Sequence, residues 1–335
     1  MDNRWIKRAL QITLVSIVAG VCTAGSVYAA DYPYKPVRLM VPFPPGGGAD
    51  IVARVVGMRL SNLWNQQVII DNRGGAGGVI GTELVARAQP DGYTILFGSQ
   101  STIAMNPAMY KNLNFDPVKD FIPVILVAYS PQLLAVHPSV EAKTLQEFIA
   151  LAKASPGKLN YASSGIGTSG HLTFELFKRA AGNIDVLHVP YKGTAAALND
   201  FLGGQVKALM GSTAVTLPLM KAGRLRTIAI ATATRSPAMP QLPTMAESGL
   251  PGFEVKPWFG LLFPARTPKV IVDKLFNDVR KLQDAPELAK GIEESGAVAA
   301  DRESQKQFAT LVASEQAMWK KVVQEVIPES MLPVR

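Results

Sequence analysis

"VPFPPGGGAD", residues 41–50, decides how the chain is read. An apolar run ends in Phe43, two prolines and three glycines follow, and "ADIVARVVGMRLSNLW" then repeats Val52, Val55, Val56, Leu60 and Leu63 at helical spacing. The stretch predicts a strand, a tight loop and a helix start. The first turn of a helix carries unpaired N–H donors and partial positive charge, so such a loop offers a place for an anion. The glycines permit close approach or positive φ, and Asp50 falls in the first turn. No Gly-Lys-Ser/Thr follows, which argues against a nucleotide phosphate loop, and Asp50 would oppose a doubly charged phosphate. A carboxylate suits the loop better. A plain strand-to-helix turn capped by Asp50 explains the same residues.

The arrangement recurs. "QQVIIDN" leads into "RGGAGGVIG" and a helix "GTELVARAQ" ended by Pro90 and Gly92, and "YTILFG" leads into "GSQST", residues 98–102, with three hydroxyls. A middle block starts near "VILVAYSPQLLAVHP" and alternates strands and helices as far as "LRTIAIAT". Such alternation predicts an α/β fold. "RSPAMPQLPTMAESGLPGFEVKP" is rich in Pro and Gly without a period, and is expected as a surface return rather than a core element. "WFGLLFP" and three helices close the chain, the last with Phe308, Leu311, Val312, Trp319, Val322 and Val326 on one stripe. These helices have only one strand of their own, so they are expected to pack back on the first sheet. The expected organisation is an export segment at 1–29, a discontinuous first domain at 30–128 and 236–335, and an inserted second domain at 129–235.

Arg4, Lys7 and Arg8, then an apolar run, then Val27 and Ala29 at the −3 and −1 positions form the pattern of a signal peptide cleaved near Ala29. Cys22, the one cysteine, lies within it behind Val21 rather than a small residue. The mature chain is therefore expected to be exported without a lipid anchor, and it has no disulfide or thiolate chemistry. Removing 1–29 takes Lys+Arg from 34 to 31 and Asp+Glu from 26 to 25, a balance of +6. Without clustered basic residues this surplus favours small anions, not nucleic acid.

"NYASSGIGTSGHL" contains Gly165, Gly167 and Gly170 in the G-x-G-x-x-G spacing of dinucleotide folds, with Asp185 twenty residues beyond the first. Three features oppose a dehydrogenase. The motif lies mid-chain, Asp185 precedes its strand, and no tyrosine has a lysine four positions later. What remains is a second anion site, with Ser163, Ser164, Thr168 and Ser169 adding hydroxyls. "VPYKGTAAA" places Lys192 and Gly193 before another helix start, where Lys192 pairs with a second carboxylate or is simply solvated. No serine sits in G-x-S-x-G, and His137, His171 and His188 have no metal-ligand spacing, so neither a catalytic nucleophile nor a metal is expected. His171 follows the serine loop directly and is the histidine to watch.

"VRLMVPFPPGGGADIVAR", "DNRGGAGGVIG", "PDGYTILFG", "NYASSGIGTSGHL", "HVPYKGTAAALNDFLGGQV", "AGRLRTIAIAT" and "LPTMAESGLPGFE" together resemble the extracytoplasmic receptors of tripartite tricarboxylate transporters, the Bug receptors. The resemblance spans essentially the whole mature chain in order. It implies a periplasmic binding protein of two α/β domains joined by crossover strands, closing over a small organic acid. It implies no cofactor, a monomer, and integral membrane permease subunits as partners; a sensor signalling to a membrane kinase would use the same closed form. By motif, the implied ligand-binding residues are Phe43, Gly47, Ala49, Asp50, Gly77 and Ser99 on one side and Ser163, Ser164, Thr168, Ser169, Lys192, Gly193 and Ser212 on the other. Ala49 and Ile166 depart from the polar residues common in that family, which points to a less charged ligand than citrate.

Overall fold

Val37–Val41 (β1) is almost wholly buried, as a strand covered on both faces must be, and the first sheet is built outward from it. The computed structural model describes residues 32–329 and 332–333; the expected signal peptide lies outside them. Val68–Asn72 (β2) and Thr94–Ser99 (β3) pair parallel to β1 on either side. Phe121–Tyr129 (β4) and Trp258–Pro264 (β10) extend the sheet, with β10 antiparallel to both β3 and β4. Val298–Ala299 (β11) closes the edge, giving the order β11-β4-β10-β3-β1-β2.

Helices cover both faces of this sheet. On one, Gly48–Trp64 (α1), Lys269–Asp284 (α8) and Pro286–Glu294 (α9) bury Val52, Val56, Leu60, Val272, Leu275 and Ile292 against Leu39, Phe97 and Leu261. On the other, Val79–Ala86 (α2), the short Asn106–Met109 (α3) and Gln305–Val326 (α10) pack on Leu96 and Leu262. The late helices thus return to the first sheet. The α10 stripe buries Phe308, Val312, Trp319 and Val323, with Leu311, Val322 and Val326 half-covered at its rim. A capping box fixes its start, Ser304 Oγ accepting from Gln307 N and Gln307 Oε1 accepting from Ser304 N.

The second sheet has the order β7-β6-β8-β5-β9, formed by Gln132–Val136 (β5), Asn160–Ser163 (β6), Leu187–Pro190 (β7), Ala208–Ser212 (β8) and Arg226–Ile230 (β9). Leu145–Ala154 (α4), Ser169–Ala180 (α5), Thr194–Leu202 (α6) and Thr213–Lys221 (α7) accompany it. Only Ser130 and Pro131 separate β4 of the first sheet from β5 of the second. The returning chain runs beside them, Ser130 N donating to Pro257 O at 2.7 Å. The fold is therefore two α/β domains joined by crossover strands, with a cleft between them.

The stretch expected as a surface return differs from expectation. Met239 and Leu242 are buried in one core of the second lobe, and Met245 and Leu250 in the other. Ile230 bridges to Thr244, so residues 239–250 cover the β9 edge. Proline and glycine break any helical or strand period there, yet four apolar side chains still find a core to fill.

Candidate functional site

Four helices begin at one cavity in the cleft. Gly48 of α1, Ser169 of α5, Thr194 of α6 and Ser212, the residue before α7, all line a central cavity. Each strand–loop–helix unit puts a helix N-terminus at the carboxyl end of its sheet, and the two sheets face each other there. Of the four, only α7 has its N-terminus capped by a side chain, Ser212 Oγ accepting from Ala214 N. The starts of α1, α5 and α6, at Gly47, Thr168 and Gly193, have no side-chain cap bond. Thr168 Oγ1 donates instead to Gly165 O at 2.7 Å.

The cavity leaves about 80 Å³ for the centres of water molecules, enough for several waters or a small molecule. Phe43, Gly47, Ala49, Ser99, Gln100 and Ser101 form the first-lobe wall. Ser164, Thr168, Ser169, Thr194, Met210 and Ser212 form the second-lobe wall, and Ser130, Gln132, Trp258 and Phe259 close the hinge end. Among the described residues lining it, none carries a charge. An outer chamber of about 760 Å³ shares Phe43 and Ser164 with it and is lined by Gly77, Ile80, Tyr110, Ile166, Lys192 and Gly193.

The expected site residues therefore divide. Phe43, Gly47, Ala49, Ser99, Ser164, Thr168, Ser169 and Ser212 meet at the central cavity, while Gly77, Lys192 and Gly193 line the outer chamber. Asp50 lines neither. Its buried carboxylate accepts from Gly46 N at 2.9 Å, Asn72 Nδ2 at 3.0 Å and the Arg54 guanidinium, and so shapes the glycine loop from behind. Burial pushes that carboxyl up, but these hydrogen bonds outweigh it and hold it below its ordinary value. Ser163 also lies behind the wall, its hydroxyl against Gly165 O and His188 Nε2.

Gly48 and Gly77 show a second use of the glycines. A Cβ on Gly48 would stand 2.7 Å from Ser212 Oγ, and one on Gly77 would collide with the Ile166 carbonyl, in each case a residue of the other lobe. The lobes touch elsewhere too: Ser169 N donates to Ser101 Oγ, Thr213 Oγ1 to Gly296 O, and Arg179 pairs with Glu325. Leu172 of α5 is buried in the first lobe's core. The two lobes are thus in direct contact across the cleft.

His171 braces the second-lobe loop. Its Nδ1 accepts from Gly167 N at 3.2 Å, and its ring stacks on His188 at 4.1 Å. His188 stacks in turn on Tyr161, and Tyr161 on Phe174. Burial pushes His188 down to about 4, with nearby Lys178 acting in the same sense, and pushes His171 well below its ordinary value. Asp185, the acid a dinucleotide site would need, sits beside Gly157 at the other end of β6, where its carbonyl accepts from Gly157 N.

Sequence reasoning missed Gln100, Gln132 and Trp258. Gln100 Nε2 donates to both carboxylate oxygens of Glu315 at 3.0 Å, and Trp258 Nε1 donates to Glu315 at 2.6 Å. Burial raises the Glu315 carboxyl, against the opposing hydrogen bonds from Trp258 and Gln100. A polar Gln132 opening an otherwise apolar strand was the one local signal available.

The family model of the tripartite tricarboxylate transporter family receptor matches residues 52–327. The chain belongs to this family. Among relatives of this receptor, BugT of Bordetella pertussis is 38% identical over 257 residues, covering 76% of this chain and 78% of BugT. The structure of Rhodopseudomonas palustris Rpa4515 with adipate superposes with a TM-score of 0.85 at 36% identity, covering 88% of this chain and 98% of that one. MatC from the same organism, with bound malate, gives 0.82 at 33% identity over 87% and 100%. The family is one of solute-binding receptors, not of enzymes. Among the described residues, no helix is long and apolar enough to cross a membrane.

Proposed function

We propose that this receptor, exported to the periplasm and cleaved near Ala29, captures one small organic acid in the central cavity and delivers it to the permease of a tripartite tricarboxylate transporter. The observation that carries the reading is the meeting of three N-termini without side-chain caps, from α1, α5 and α6, on a wall with no charged side chain. Each contributes roughly half a positive charge and free N–H donors. Together they suit a carboxylate and supply no general base or nucleophile to transform it. Two related structures hold adipate and malate, which supports the same ligand class.

The binding residues of this reading are Phe43, Gly47, Ala49, Ser99, Ser164, Thr168, Ser169 and Ser212, with Lys192, Gly193 and Gly77 at the outer chamber. Over the described residues, the lobes of this reading are 32–129 with the chain from 257 onward, and 130–256, since 239–250 packs on the second sheet. Trp258 in the wall provides the assay. Titration of the mature chain with a panel of mono-, di- and tricarboxylates should change tryptophan fluorescence saturably for at least one acid. No response to any acid at millimolar concentration, by fluorescence or calorimetry, would rule the reading out.

A further inference from the structure

The loop that carries Ser164 and Thr168 to the central cavity is held from behind by two stacked histidines. Gly167 N donates to His171 Nδ1 at 3.2 Å, and His188 Nε2 meets Ser163 Oγ at 2.7 Å. A backbone N–H can only donate, so Nδ1 of His171 is the unprotonated nitrogen and the ring is neutral, with its proton on Nε2. The two rings lie 4.1 Å apart with their planes 19° from parallel, and His171 is buried without lining the cavity.

The segment this bond steadies has two faces. Ser164, Thr168 and Ser169 line the central cavity, while Gly167, at φ +77°, packs on the first lobe, where a Cβ would stand 2.6 Å from Asn106 Oδ1. A proton on His171 Nδ1 would abolish the acceptor and turn two donors toward each other. The groups around the ring do not welcome that charge. Glu175, one turn along α5, already accepts from Tyr161 Oη at 2.7 Å and pairs with Lys178 at 2.9 Å, and Lys178 itself opposes a charge on His171. Tyr161 of β6 stacks on His188 of β7, Asn106 and Tyr110 stand uncharged beside Gly167, and Glu325 of α10 is paired with Arg179.

We propose that His171 is a positioning residue that makes the binding site sensitive to acid: its neutral ring holds the Ser164–Thr168 loop in the shape that lines the cavity and meets the first lobe, and protonation at Nδ1 releases the loop and, with it, the bound acid. This inference rests on the acid-binding reading above and adds to it a control over release. The effect runs against plain electrostatics. A new positive charge by itself draws an anion closer, but the proton destroys the arrangement of the donors that grip it. With the loop released, His171 titrates near the ordinary histidine value, whereas burial, His188 and Lys178 hold it well below that in the structure. The released form therefore binds a proton that the gripping form refuses, and affinity falls as pH drops through about 6.5.

The test is calorimetry on the mature chain with the panel of mono-, di- and tricarboxylates, malate and adipate included, at about pH 7.5 and about pH 5.5. His171→Asn offers Oδ1 as an acceptor in the place of Nδ1 without a titrating group, and should bind within about threefold of the wild type at the higher pH. The ratio of wild type to this variant cancels the titration of the acid itself, and it should fall about tenfold at the lower pH. His171→Leu removes the acceptor and should bind about tenfold more weakly at both. A ratio that is the same at the two pH values, or one that rises in acid, overturns the inference while leaving the receptor reading intact. Binding of no member of the panel at either pH overturns both. Should His171→Asn fail to fold, wild-type calorimetry at about pH 6 in two buffers of different ionisation enthalpy decides: binding should release most of one proton from the protein, and no release overturns the inference.

Discussion

The amide of Ser169, the first residue of α5, donates to Ser101 Oγ at 2.9 Å across the gap between the lobes. A helix N-terminus that the fold leaves free of side-chain caps is thus occupied, in part, by the opposite lobe. Closure and ligand capture draw on the same donors. Ser101→Ala should weaken binding of any ligand that needs the closed form by roughly five- to tenfold, the worth of one hydrogen bond of about 1 kcal/mol, with the unfolding midpoint almost unchanged. Calorimetry beside a denaturant melt separates the two effects, and an unchanged affinity would show the contact to be incidental.

Gly77 should tolerate no side chain. A Cβ there meets the Ile166 carbonyl, backbone that cannot swing aside, and φ is +62°. Gly77→Ala is expected to hold the lobes apart and lower affinity by more than tenfold, with an enlarged radius of gyration in small-angle scattering. A scattering profile identical to that of the wild type would contradict this.

Asp50→Ala should loosen the first glycine loop, since Gly46 N, Asn72 and Arg54 all lose their acceptor. The expected cost is about 2 kcal/mol in urea unfolding. Asp50 also predicts acid sensitivity with a definite sign. Its carboxyl is held low in the folded chain, so its stabilisation is complete above the ordinary carboxylate range and fades as pH falls through the folded value. In Asp50→Asn that part of the pH dependence should vanish.

The stacked pair His171 and His188 acts in the same direction at higher pH. Both are held neutral by burial, His188 down to about 4, so the unfolded chain takes up protons near pH 6.5 that the folded chain refuses. Stability is full above about pH 6.5 and falls as pH drops toward 4, by roughly 3 kcal/mol for His188 alone. His188→Gln, which keeps a polar partner for Ser163 Oγ, should flatten the urea midpoint over that range. A midpoint as steep as that of the wild type would mean that the charge is accommodated elsewhere.

Much of the frame was legible. Each strand, loop and helix start is encoded within about twenty residues, so β1, the glycine loop and α1 follow from "VPFPPGGGAD" and its flanks. The pairing of loops to a single cleft was legible only through the family resemblance. The division of labour among the glycines was not, because Gly48 and Gly77 answer to Ser212 and Ile166. Those partners are more than eighty residues distant, on a lobe that must first close. Gln100 escaped notice for the same reason, its orientation depending on Glu315, 215 residues later. Asp50 and Ser163 have the right chemistry in the right loops, yet local hydrogen bonds already use their side chains, and only coordinates reveal such prior commitments. The return segment misled because its buried apolar residues, Met239, Leu242, Met245, Leu250 and Val255, follow no period.

Helix α10 contributes no atom to the cavity lining, yet through Glu315 it fixes two of the groups that do. Its own residues lie far along the chain from the loop it anchors, Glu315 standing 215 positions beyond Gln100. A polypeptide cut short before this helix would leave Gln100 and Trp258 without their shared anchor, so the part of the wall built by the first hundred residues is finished only by a segment more than two hundred residues downstream.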